Sequence, residues 1–299
     1  MMMMMRTPTV VRILSTATPK EEVNTGPVVR EEGSGKHLKI TAQNTRLPVI
    51  AQAVVIDIRE ESPTVRGLTL QVDNPDFTFR AGQWVDMFIP GMETVGGFSM
   101  YSSPILLSET GTLQLGVKFS RWPPAYWVHK QCKIQSKVAI RAGGDFYYSP
   151  EVGEASYDLL LVGGGVGINP LASMFLHANT LHQIHKKNPE KYRPGKILLL
   201  YSAKTYEELL YKTLLDNISS STPETAVQYF TTREQPASAS SPVKYGRITQ
   251  EVLKSAIDSL DTSSLKTFIC GPPPMIENIN QHLLSCGLLQ NQIFYEKWW

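Results

Sequence analysis

The chain is short of cysteine: Cys132, Cys270 and Cys286 are the only three in 299 residues. Three cannot make a disulfide framework and none lies in a Cys-x-x-Cys pair, so the pattern points to a reducing compartment. Long apolar runs are absent too, which leaves no candidate membrane span. Charge is nearly balanced, with 29 Lys and Arg against 27 Asp and Glu. No basic run interleaves with aromatics, so neither nucleic acid nor another polyanion is favoured. His182 and His185 sit three apart on a predicted helix without a third ligand nearby, and read as a surface pair rather than a metal site. The N-terminus lacks acid. Between Met1 and Lys20 there is none, while Arg6, Arg12 and Lys20 lie among Ser, Thr and short aliphatics. That composition predicts a mitochondrial transit peptide and a matrix location, with a disordered tail as the alternative. Residues 1–45 are therefore read as a transit-peptide-like segment and linker.

What is present is most concentrated at "LLVGGGVGINPL", residues 160–171. The run Leu159, Leu160, Leu161, Val162 reads as a strand buried on both faces. Pro170 suits the first position of a helix, and Asn169 before it an N-cap. Strand, glycine turn and helix together turn bare amides and a positive dipole end outward, as a pyrophosphate requires. A tight turn between packed elements is the structural alternative. The motif is G-x-G-x-x-P, and no acid ends the next strand "KILLLYSAK" to hold a ribose hydroxyl.

Upstream, residues 46–153 carry short β-rich runs, "AQAVVIDIRE", "TVRGLTLQV", "QWVDMFIP", "GTLQLGVKF" and "SKVAIRA", punctuated by Pro, Gly, Asn and Asp. Five or six such strands predict a small antiparallel barrel. Gly82 permits a bend just before the strand opened by Trp84. From 154 to 299 strands alternate with helices, one starting at Thr205 with Glu208 three positions on as a capping box. This predicts a doubly wound parallel sheet with a ligand at the carboxyl ends of its strands. Three distinctive stretches fall there: the glycine turn, "TTRE" and "CGPPP".

At these residues the chain resembles the ferredoxin-NADP reductase-like flavoproteins, over roughly residues 48–299. "FRAGQWVDM", "FSMYSSP", "GGGVGINP", "FICGPPPM" and "YEKWW" match that family's motifs in order. The resemblance implies a flavin-dependent oxidoreductase that passes hydride from NAD, or alternatively NADP, to FAD or FMN and on to an unidentified acceptor, for which a separate electron-carrier protein is one candidate. It implies catalytic roles for Ser99, Cys270 and Glu296. Flavin contacts would come from Phe98, Ser99, Met100, Tyr101, Ser102 and Trp298. Nucleotide contacts would come from Gly163, Gly164, Gly165, Val166, Gly167, Ile168, Asn169, Pro170, Thr232, Arg233, Gly271 and Pro272. Two positions depart. Gly96 stands where the family's phosphate-binding arginine would be, and "SRWPPAYW" puts Pro and Ala in the second phosphate stretch. A lost charge-assisted contact costs about 1.5–3 kcal/mol, which weakens the expected hold on flavin. Two further readings follow: a reductase that takes free flavin as substrate, and a redox-inactive nucleotide-binding or assembly protein on the same fold.

Overall fold

The computed structural model describes residues 37–236, 238 and 240–296. The transit-peptide-like segment and Trp298 lie outside these. The linker expectation fails at its end. Residues His37–Ile40 form a short helix, α1, with His37 and Thr41 buried. They are held there by Asp86, whose carboxylate accepts from the His37 ring at 2.8 Å.

The barrel has six antiparallel strands: β1 (Arg46–Ser62), β2 (Val65–Val72), β3 (Trp84–Phe88), β4 (Gly96–Ser99), β5 (Thr112–Lys118) and β6 (Lys137–Gly143), in the order β4-β3-β6-β1-β2-β5. A single bridge from Met100 to Leu115 nearly closes it. Strand β1 is long enough to pair with both β2 and β6 because irregularities at Val55/Asp57 and Glu60/Ser62 bend it. Alternation sends Ala51, Ala53, Val55, Val85, Met87, Leu113 and Leu115 into one core. Gly82 has the expected role: its φ is +106°, and a Cβ there would lie 2.7 Å from the Phe146 carbonyl. Strand β4 and the helices α2 (Pro104–Thr110) and α3 (Pro123–Lys130) are additions to the predicted elements.

The second lobe is a fully parallel sheet. Its strands are β7 (Leu159–Gly164), β8 (Ile197–Ala203), β9 (Thr225–Thr231), β10 (Val243–Tyr245), β11 (Lys266–Cys270) and β12 (Ile293–Tyr295), ordered β10-β9-β8-β7-β11-β12. Helices α4 (Ile168–Lys187) and α5 (Lys212–Ser221) cover one face. Helices α6 (Gln250–Asp258) and α7 (Pro273–Ser285) cover the other. Every residue of β7 is buried, which is why it reads as a continuous apolar run.

Three local expectations are corrected. Asn169 is inside the first turn of α4, not its N-cap. The capping box at Thr205 does not form: residues Tyr206–Glu208 make a 3₁₀ turn and α5 begins at Lys212. His182 is buried rather than on the surface, with its ring nitrogen 3.1 Å from the Gly195 carbonyl.

Candidate functional site

Strand β7 ends at Gly164 and the chain turns through a 3₁₀ segment, Gly165–Gly167, into α4. At such a start the first amides, at Gly165 and Val166, have no carbonyl behind them to bond. Gly165 sits at φ +55° with open space where a Cβ would be, so a phosphate can approach its backbone. The other glycines answer to packing. A Cβ on Gly167 would lie 2.5 Å from the Cys270 carbonyl oxygen, and one on Gly164 would lie 3.0 Å from Pro272 Cδ. One on Gly271 would lie 3.2 Å from the Gly164 Cα. The glycine turn and the cysteine loop thus cross in contact, and Gly163 pairs with Cys270 in the sheet.

Beside this crossing is a cleft of about 440 Å³ over the carboxyl ends of β7, β8 and β9. Gly164, Gly165, Thr232, Arg233 and Pro272 line it as expected, and Lys204 and Arg247 join them. Sequence reasoning missed these two cations. Arg247 follows a three-residue strand, β10, behind a Ser-rich stretch with no periodicity. None of the lining residues is acidic, and Lys204, Arg233 and Arg247 make no ion pair among the described residues.

Other predicted contacts are spent on joining the lobes. Asn169 Nδ2 donates to the Gly116 carbonyl of β5 at 2.7 Å, and its Oδ1 accepts from Tyr211 Oη at 2.9 Å. Tyr101 stacks on Tyr211 with ring centroids 4.2 Å apart. Ser173 Oγ donates to the Ser102 carbonyl at 2.7 Å, while Ser102 Oγ accepts from the Gln114 amide. Met100 and Ile168 are wholly buried, and Pro170 is buried in the first turn of α4. The side chains of Met100, Tyr101, Ser102, Ile168, Asn169 and Pro170 are therefore committed to packing and to the contact between the lobes.

Trp84 and Glu296 connect the three residues expected to have catalytic roles. Ser99, half-buried at the end of β4, pairs across the sheet with Trp84. Trp84 Nε1 donates to Glu296 Oε1 at 3.0 Å. Glu296, just after β12, is buried beside Cys270. Burial first, and then the Glu296 charge, push the Cys270 thiol well above its ordinary range. A thiol so held stays protonated and is a compact neutral group, not a nucleophile. Trp84 is the link that sequence reasoning did not supply. Its indole rests on glycine backbone at Gly143 and Gly144, where a Cβ would lie 2.8 Å and 2.6 Å from the ring. Behind it, Asp86 accepts from His37, from Arg46 Nε at 2.9 Å and from Arg141 Nη2 at 2.6 Å. Burial alone would raise the Asp86 pKa, but these hydrogen bonds outweigh it and hold it at about 2.

The fit to cofactors divides. A pyridine dinucleotide fits: exposed amides, an open glycine and unpaired cations line one cleft. A flavin fits poorly. Phe98, the aromatic expected to stack on it, is buried in the barrel core. A Cβ on Gly96 would lie 2.6 Å from the Phe98 ring and 3.1 Å from Pro124 Cβ, so no arginine can stand there without displacing that packing.

A parallel sheet with this cleft, docked on a six-stranded barrel, defines an NAD-binding oxidoreductase architecture. The family model described as oxidoreductase NAD-binding domain matches residues 161–281. The chain belongs to the family of oxidoreductase NAD-binding domain-containing protein 1, being 45% identical over 267 residues to the Danio rerio member, with 88% of this chain and 97% of that one covered. Among solved structures it resembles a cytochrome P450 reductase from Amycolatopsis (TM-score 0.68, 20% identity, 85% of this chain and 71% of that one). It also resembles a ferredoxin NADP+ reductase from Neisseria gonorrhoeae with bound FAD and NADP (TM-score 0.63, 20% identity, 84% and 99%).

Proposed function

We propose that the protein is an NAD(P)H-dependent oxidoreductase that binds the pyridine dinucleotide along the carboxyl edge of its parallel sheet and favours the 2′-phosphorylated form. The pyrophosphate lies at Gly165 and Val166, on the positive end of α4. The nicotinamide end extends toward the carboxyl end of β11 and the end of β4, where the neutral Cys270 thiol and the Ser99 hydroxyl stand on either side of Trp84 and Glu296. Hydride leaves C4 of the dihydronicotinamide, which becomes the oxidised nicotinamide, and passes to a diffusible two-electron acceptor of the free-flavin class, which takes up the accompanying proton from water. Positioning, rather than covalent chemistry, is what such an arrangement provides.

The observation that carries the preference is the cation set. The ends of β8 and β9 lie one and two strands from the glycine turn, roughly 5 and 10 Å away at ordinary strand spacing. Lys204 and Arg233, with Arg247 just past β10 in the same cleft, therefore meet the adenosine ribose rather than the pyrophosphate. A guanidinium pairs with a ribose phosphate in two parallel hydrogen bonds. Titrating the full chain with NADPH and NADH should give about tenfold or more tighter binding of NADPH. Arg233→Ala and Arg247→Ala should each erase most of that difference while leaving NADH binding within about twofold. Equal affinity for the two nucleotides in the wild type would refute the preference, and binding of neither would refute the whole reading.

A further inference from the structure

We propose that the barrel carries no resident flavin, because its own third helix closes the place where a flavin's phosphates would enter. Helices bind phosphate through the free amides of their first turn. In α3 the first two positions are Pro123 and Pro124, which have no N–H, and Trp122 before them supplies no side-chain cap. Two of the donors a phosphate would use are thus removed by covalent structure, whatever the side chains do.

The facing wall is closed as well. Strand β4 offers Gly96, and α3 packs on it so closely that an added Cβ would already touch Pro124 at 3.1 Å. That contact leaves no gap for a phosphate group between strand and helix. Phe98 fills the remaining space. It belongs to the barrel core, and its ring meets Trp122 at 6.1 Å with the planes inclined by 58°. Arg46 on β1 and Arg141 on β6 offer no substitute, since both hold Asp86. Strand, ring and helix start thus make one packed layer, and a bound flavin would have to break it.

The test uses the full chain, produced in flavin-replete cells and gel-filtered. Its visible spectrum should show no stoichiometric flavin. Titration with riboflavin, FMN and FAD, read by flavin fluorescence, should show the phosphorylated forms binding no more than about threefold tighter than riboflavin, or no binding by any of the three. A flavin co-purifying near one per chain would overturn the proposal, as would any greater preference for FMN or FAD. In that case Arg121→Ala, which removes the exposed cation on the turn before α3, would show where the phosphate is held. Circular dichroism and a cooperative urea transition of the same sample report folding independently, and NADPH is titrated alongside. Loss of NADPH binding with no flavin bound would sink the dinucleotide reading and leave this one standing.

Discussion

Single side chains here often act through partners far away in sequence. Asn169 is the plainest case. Its neighbours Gly167 and Pro170 write a local helix-start signal, yet its partner is the Gly116 carbonyl, 53 residues away. No local pattern encodes that distance, so the junction role was illegible while the glycine turn beside it was not. Asn169→Ala should cost about 1–3 kcal/mol in denaturant unfolding, because it strands a buried carbonyl and the Tyr211 hydroxyl. Thiol reactivity offers a second check. Cys132 and Cys270 are buried and Cys286 is only partly so. Ellman's reagent should modify Cys286 first and reach the other two only on unfolding. Asp86 sets an acid dependence. Its folded pKa of about 2 lies below the ordinary 3.8, so its stabilisation is complete above the ordinary value and is lost as pH falls through the folded one. The shift corresponds to about 2 kcal/mol. Stability measured between about pH 5 and 2 should fall more gently in Asp86→Asn than in the wild type.

At the scale of elements, legibility followed burial. Strand β7 was read correctly because both faces are covered and its four apolar residues run together. Strand β10 was missed because it has three residues and buries only Val243. Helix α1 was missed for a different reason: it is four polar-to-mixed residues whose order comes from Asp86, not from any propensity of its own. The turn before α5 shows tertiary structure overriding a local signal. Instead of capping Thr205, the Glu208 carboxylate accepts from Thr64 Oγ1, at 2.8 and 2.9 Å, on the turn between β1 and β2. Glu208→Ala should therefore lower stability by about 1 kcal/mol, and Thr64→Ala should add little more in the double variant. If the two losses simply add, the bond does not contribute as the geometry implies.

For the whole molecule, two lobes were expected and two are found, but they do not have separate interiors. One apolar cluster runs from Tyr101, Phe146 and Tyr148 of the barrel side into Leu171, Phe175 and Tyr201 of the sheet side. The described chain should unfold as one unit. Fluorescence from Trp84, Trp122 and Trp127 in the barrel should follow the same urea transition as the helical circular dichroism of the sheet lobe. Gly116→Ala is the way to break this unity. Its new Cβ would lie 2.8 Å from Asn169 Oδ1, and overpacking of that kind costs about 1–3 kcal/mol. Separation of the two probes in that variant, and not in the wild type, is the expected result.

The indole of Trp84 also touches the short helix that precedes the barrel and the residue that follows the last strand of the sheet. His37 meets it edge-on, with ring centroids 4.8 Å apart, and Glu296 accepts its N–H. Any displacement of that one ring is therefore communicated at once to the helix that precedes the barrel and to the end of the parallel sheet.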